Sequence, residues 1–132
     1  MRTVHISLAI LILSIAISGC GSNQTLKVDT LQLGRSLNAD NSVGNFTTTF
    51  APTDTIYLAV LTSGAGDGTL AVRWSFGGRV ISEPTKKISY KDSAATEFHL
   101  QSGDGFPPGE YKAEVSLDGK PVGTREFKVE SR

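Results

Sequence analysis

The side chains of this 132-residue sequence that could carry chemistry are few: Cys20, His99 two residues after Glu97, Asp67 and Asp104 set between glycines, and separate carboxylates such as Glu83. A histidine oriented by a carboxylate is a general-base arrangement. Residues two apart on a strand lie roughly 7 Å apart with side chains side by side, so an outer-face polar pair is the plainer reading of Glu97 and His99. A serine hydrolase also needs a strained nucleophile elbow, and no Gly-x-Ser-x-Gly occurs. Calcium takes about six to eight oxygens. Gly66-Asp67-Gly68 and Gly103-Asp104-Gly105 each supply one carboxylate, which suits turns better than a metal. A single cysteine and a single histidine after the leader leave no zinc or copper set. Neither glycine-rich run precedes a helical pattern, so neither is a phosphate cradle. No catalytic residue, metal or cofactor is expected. Phe106, ahead of Pro107-Pro108, is either an exposed anchor for a partner or an aromatic covering the base of the core.

Cys20 ends an N-terminal stretch with its own logic. Arg2 gives a positive head, and residues 6–17 are apolar except for Ser7 and Ser14. A membrane-crossing helix needs about 20 apolar residues, a secretory signal roughly 7–15, so cleavage is the better reading. Ile17-Ser18-Gly19-Cys20 resembles the lipobox of bacterial lipoproteins, with Ile17 in the Leu-like position. That resemblance implies a diacylglyceryl group on the Cys20 thiol, cleavage between Gly19 and Cys20, and acylation of the new amino group. It divides the chain into a leader (1–19), a lipidated tether (20–24) and one domain (25–132). A thiol without a disulfide partner in an exported chain agrees with this fate. Each buried methylene contributes about 0.8 kcal/mol, so two or three acyl chains anchor firmly. Gly21 stands where enteric-type lipoproteins retained in the inner membrane carry Asp, which implies the outer membrane, periplasmic side, of a Gram-negative cell.

Cleavage removes Arg2 and no acidic residue, leaving a mature chain with one more acidic than basic residue. No cluster of four basic residues occurs, so a nucleic-acid partner is not expected. The mature length suits one domain with a single core and no disulfide staple.

The elements that must position these residues are strands. Leu26 and Val28 alternate, the phase slips at Asp29-Thr30, and Leu31 and Leu33 resume it, as a bulge would produce. Residues 34–45 read as loop. Phe46 to Phe50 reads as one strand. Residues 55–62 are apolar on both parities, which places that strand in the middle of a sheet. Residues 63–68 reverse the chain. Leu70, Val72, Trp74 and Phe76 then share a buried face opposite Arg73. Residues 79–82 and 87–90 flank Glu83-Pro84, with Lys86, Lys87 and Lys91 as protection against stray strand pairing. Thr96, Phe98 and Leu100 alternate with Glu97 and His99. Tyr111, Ala113, Val115 and Leu117 lead through Asp118-Gly119 to Phe127 and Val129, a hairpin whose outer faces carry opposite charges.

Seven to nine short strands with frequent turns indicate an all-β antiparallel sandwich. Gly109-Glu110-Tyr111 after Pro107-Pro108 resembles the tyrosine corner of immunoglobulin-like and fibronectin-like domains, and Trp74 matches their strand C tryptophan. The resemblance implies that Ala113 fills the slot of the second disulfide cysteine, opposite Leu58 or Val60, with packing around Trp74 in place of the bridge. The stretch from Phe50-Ala51-Pro52 to the Phe127 strand is also similar to exported bacterial single-domain proteins, which implies a fold and an address. The expected function is that of a monomeric, non-enzymatic envelope lipoprotein, held at the membrane by lipid, that binds or supports an envelope protein or polysaccharide. An envelope enzyme or inhibitor using dispersed carboxylates such as Asp104 and Glu83 in a loop pocket is the alternative. In the resembled fold the chain enters near residues 63–68 and 118–121, leaving Arg79, Asp104 and Phe106 at the far end to meet a partner.

Overall fold

The computed structural model describes residues 24–131, and the expectations for the leader, for cleavage at Gly19 and for lipidation of Cys20 lie outside the described residues. The chain is an all-β sandwich of two sheets. β1 (Lys27–Leu37), β2 (Val43–Phe46), β4 (Ile56–Ser63) and β8 (Ala94–Leu100) form one sheet in the order β2-β1-β4-β8. The other runs β3 (Thr49–Phe50), β10 (Lys120–Val129), β9 (Gly109–Leu117), β5 (Gly66–Phe76) and β6 (Arg79–Ser82), with β7 (Thr85–Tyr90) also pairing β5.

Alternation drives this layering. Leu31, Leu33, Leu58, Val60 and Phe98 from the first sheet meet Leu70, Val72, Trp74, Tyr111, Val115, Phe127 and Val129 from the second in one core. Strand β4 lies between β1 and β8, as its two apolar faces require. The phase slip in β1 is a register shift between Val28 and Thr30. In the β9–β10 hairpin, Lys112 stands opposite Glu126 and Glu110 opposite Lys128.

Trp74 is fully buried, lies directly across from Ala113, and sets its indole edge-on to Phe127 at 6.0 Å. Leu58 and Val60 lie in the same cluster, so packing fills the place of an inter-sheet bridge. The indole N–H has no acceptor among the described residues. Tyr111 forms the tyrosine corner: its hydroxyl donates to the Pro107 carbonyl at 2.6 Å, and its ring stacks between Phe76 at 4.5 Å and Phe127 at 5.4 Å. Burial pushes the phenol above its ordinary pKa. Gly109 permits this corner, since it holds φ +144° and a Cβ there would sit 2.8 Å from the Phe76 ring.

Three segments differ from the sequence reading. Ten strands form among the described residues, because residues 34–45 are a hairpin and not a loop. Their pairing is made by backbone, and few large side chains advertise it. The hairpin extends the β1-β4-β8 sheet at its β1 edge, with β2 pairing β1, and brings Val43 back over Gly34. Gly34 is the hinge, with Val43 lying over it so closely that a Cβ would be 2.4 Å from the Val43 side chain. The Gln32 side-chain carbonyl accepts the Val43 amide at 3.1 Å, and Val43 is 2% exposed. Second, the segment from Phe46 to Phe50 is two strands in different sheets. The Thr47 amide donates to the Leu33 carbonyl of β1, whereas the Thr48 carbonyl accepts from Lys128 of β10. The chain crosses between layers at that dipeptide. Third, the turn expected over residues 63–68 is shorter, because β4 runs through Ser63 and β5 begins at Gly66.

Candidate interaction surface

The strands carry the sequence-derived residues to opposite ends of the sandwich. At one end Gln24 and Leu26 bracket Ala65: the Ala65 amide donates to the Gln24 carbonyl at 2.8 Å and the Leu26 amide to the Ala65 carbonyl at 3.0 Å. Asp118 closes the same end, its carboxylate accepting the Thr69 amide at 2.8 Å. Strand β5 then runs the full height of the domain, about 30 Å at ~3.3 Å per residue, to the Gly77-Gly78 turn. Arg79 and Asp104 are exposed at that far end. The described chain thus begins at the end opposite Arg79 and Asp104.

Phe106 is not available at that surface. It is 6% exposed, its amide donates to the Pro52 carbonyl at 2.8 Å, and its ring meets Tyr111 edge-on at 6.0 Å. A large aromatic beside Pro107-Pro108 serves the core here, packed on the ring of the tyrosine corner. Glu83 and Asp104 are not brought together either. Glu83 lines a cleft of about 410 Å³ with Arg73 and Glu114, and it accepts from Arg73 at 2.8 Å. Asp104 stands in the loop between β8 and β9 at the domain end. Asp67 lies within β5, opposite Ser89 of β7.

Glu97 and His99 do touch, which their spacing alone does not suggest. Glu97 Oε1 hydrogen-bonds His99 Nδ1, and Glu97 Oε2 lies 3.3 Å from the Lys86 ammonium. Lys86 also donates to the Glu97 backbone carbonyl and sits 5.0 Å from the Phe98 ring centre. Glu97 of β8 contacts Lys86 and His99 through the two oxygens of one carboxylate. Lys86 thus protects an edge directly, by capping a free carbonyl of β8 from β7. Tyr90 adds a second tie to β8, 2.7 Å from the Thr96 hydroxyl. Desolvation acts to raise the Glu97 carboxyl, but the hydrogen bonds from His99 and Lys86, with their charges, outweigh it and hold its pKa below the ordinary carboxylate value. His99 faces solvent and meets the Tyr57 ring at 6.0 Å. Among the described residues no group of three potential metal ligands converges.

A carboxyl whose folded pKa is depressed stabilises the fold above its unfolded pKa and loses that contribution as pH falls through the folded value. Glu97→Gln should therefore lower stability at neutral pH by about 1 kcal/mol and flatten the loss between neutral and acid pH. Denaturant unfolding at several pH values checks this, and an unchanged acid limb counts against it.

Sequence reasoning missed Phe46, which is 66% exposed, and Val80 and Ile81 at 47% and 44%. Ile81 is the extra residue of a bulge against Trp74 and Ser75. Alternation points such residues inward, and only the observed register shows otherwise.

No protein-family model matches this sequence, and no curated protein matches it. Among solved structures the chain is similar to an immunoglobulin-like protein from Pseudomonas aeruginosa, at 14% identity and a TM-score of 0.58, over 83% of this chain and 100% of that one. It is also similar to a mutant β-glucosidase from Listeria innocua in complex with laminaribiose, at 12% identity and a TM-score of 0.50, over 80% of this chain and 16% of the enzyme. At these identities the likeness shows the fold: an immunoglobulin-like β-sandwich.

Proposed function

We propose that this chain is a non-enzymatic envelope lipoprotein, anchored through Cys20 in the outer membrane with its domain in the periplasm, that binds an envelope protein or polysaccharide as a monomer. The observation that carries the reading is the polarity of the domain. Gln24, four residues after Cys20, hydrogen-bonds at one end of the sandwich, while Arg79 and Asp104 stand exposed at the other. Four extended residues reach about 14 Å, so a lipid on Cys20 would hold the Gly64–Ala65 end against the headgroups and present Arg79 and Asp104 to the periplasm.

Two measurements test this. Cys20→Ser should move the protein from the membrane fraction to the soluble one, or leave the leader uncleaved; unchanged fractionation removes the anchor from the reading. Copurification from detergent-solubilised membranes should recover a stoichiometric companion from the unaltered chain. An Arg79→Glu, Asp104→Lys variant should recover it at least tenfold less well while melting at the same temperature. Equal recovery places the contact elsewhere.

A further inference from the structure

Strand β3 pairs in parallel with β10 through only two residues, Thr49 with Lys128 and Phe50 with Val129. The amides of Lys128 and Glu130 donate to it, to the carbonyls of Thr48 and Phe50. By strand alternation the Glu126 amide points the same way, to a place β3 does not reach because the chain crosses to β1 at Thr47. A groove of about 380 Å³ opens there between β1 and β10, with Leu31, Leu33, Phe46 and Arg125 among its walls. It is closed above, where Gly123 approaches within 3.0 Å of Leu31 as measured from an added Cβ, and below by Thr47 and Thr48. Gln32 lies between Leu31 and Leu33 in its lining, and the Phe46 ring, 66% exposed, is the large apolar surface that the groove offers.

Arg125 supplies the charge. Its guanidinium donates to the Thr124 carbonyl at 2.9 Å and reaches the Thr30 hydroxyl at 3.5 Å, with no carboxylate in ion-pair range among the described residues. Arg35 and Arg73, by contrast, each hold a carboxylate, Asp54 and Glu83.

We propose that this groove takes a short extended segment of another protein, running parallel to β10 as a continuation of β3. Its backbone adds to the free edge at Glu126, an apolar or aromatic side chain covers Phe46 and Leu33, and an acidic residue pairs with Arg125. Phe50 shows the mode within the chain: it pairs with β10 and buries its ring edge-on to Phe127 at 5.5 Å. Strand addition of this kind draws affinity from main-chain hydrogen bonds and specificity from alternate side chains. A second copy does not fit as well. The extended segment that it could offer with neighbouring exposed apolar residues is Val80-Ile81, which is already paired with β5 and is preceded by the basic Arg79, where the groove calls for an acidic residue. The inference goes beyond the binding role proposed above, since the groove is a surface separate from Arg79 and Asp104, and it rests on that role only for the existence of a protein partner.

Selection of a displayed library of random ten-residue peptides on the full chain tests it. Enriched peptides should combine β-branched or aromatic residues with Asp or Glu. Their Kd should rise at least tenfold for both Phe46→Ala and Arg125→Glu, and stay within twofold for Arg79→Glu. Both altered side chains lie at the surface, and melting curves confirm folding. Three results overturn the proposal: no enrichment, peptides indifferent to both substitutions, or self-association of the chain that Phe46→Ala abolishes. None of these bears on Cys20→Ser fractionation, so the anchor stands or falls separately.

Discussion

Trp74→Ala should lower the stability of this domain by about 3–5 kcal/mol, a large share of the roughly 5–15 kcal/mol that holds a domain folded. The indole is fully buried, crosses from Ala113 toward the first sheet, and is one face of an aromatic group completed by Phe127, Tyr111 and Phe50. Neighbouring backbone is fixed by strand pairing on both sides of β5, so the cavity cannot collapse. No covalent bridge limits the damage, since the sequence holds one cysteine. The melting temperature should fall by at least about 12 °C, at roughly 4 °C per kcal/mol. Trp74→Phe should recover more than half of the loss, because it keeps a ring on Phe127 and removes an indole N–H that has no acceptor among the described residues. Denaturant unfolding of the two variants provides the comparison, and a loss below about 1 kcal/mol for alanine would mean that the core is not organised on Trp74.

The second large effect is expected from one methyl group at Gly34. A Cβ there would stand 2.4 Å from Val43, 2.5 Å from the Gly44 carbonyl and 2.6 Å from the Asn45 carbonyl. Two of those three neighbours are backbone, so the hairpin must lift from the sheet. Lifting it exposes Val43, whose burial contributes about 1.5–3 kcal/mol, and breaks the hydrogen bond from the Val43 amide to Gln32. Gly34→Ala should therefore cost about 2–4 kcal/mol. Hydrogen exchange localises the change: the Val43 amide should lose protection while amides in the middle of β9 keep theirs. Uniform loss across both strands would show that the hairpin and the core unfold as one unit.

How far the sequence speaks depends on whether side chains or backbone carry the structure. Where apolar residues alternate, as from Leu70 to Trp74 or Tyr111 to Val115, the buried face is the one alternation assigns. The corner at Gly109-Glu110-Tyr111 is legible because its geometry needs those residue types. The β1–β2 hairpin is silent, since Gly34, Ser36 and Gly44 pair through main chain and bury a single valine. Crossing at Thr47-Thr48 is silent for the same reason: three threonines in a row look like one strand, and only the two hydrogen-bond partners reveal two sheets. Surface chemistry is harder still. The contact of Glu97 with His99 depends on how an edge side chain turns, and the exposure of Phe46 on which strand ends first. Lys86, by contrast, is readable as edge protection, and it caps the Glu97 carbonyl.

The pairing of β3 with β10 also sets a timetable. It joins Thr49 to Lys128, and the ring that Trp74, Tyr111 and Phe50 all pack against is Phe127. Translation delivers that ring only after Phe50, Trp74 and Tyr111. Until it emerges, both sheets lack their shared centre, and the long-range contacts that make sandwiches slow to fold cannot close. A nascent chain of this topology therefore holds those three aromatics without the ring that joins them until residue 127 has been made.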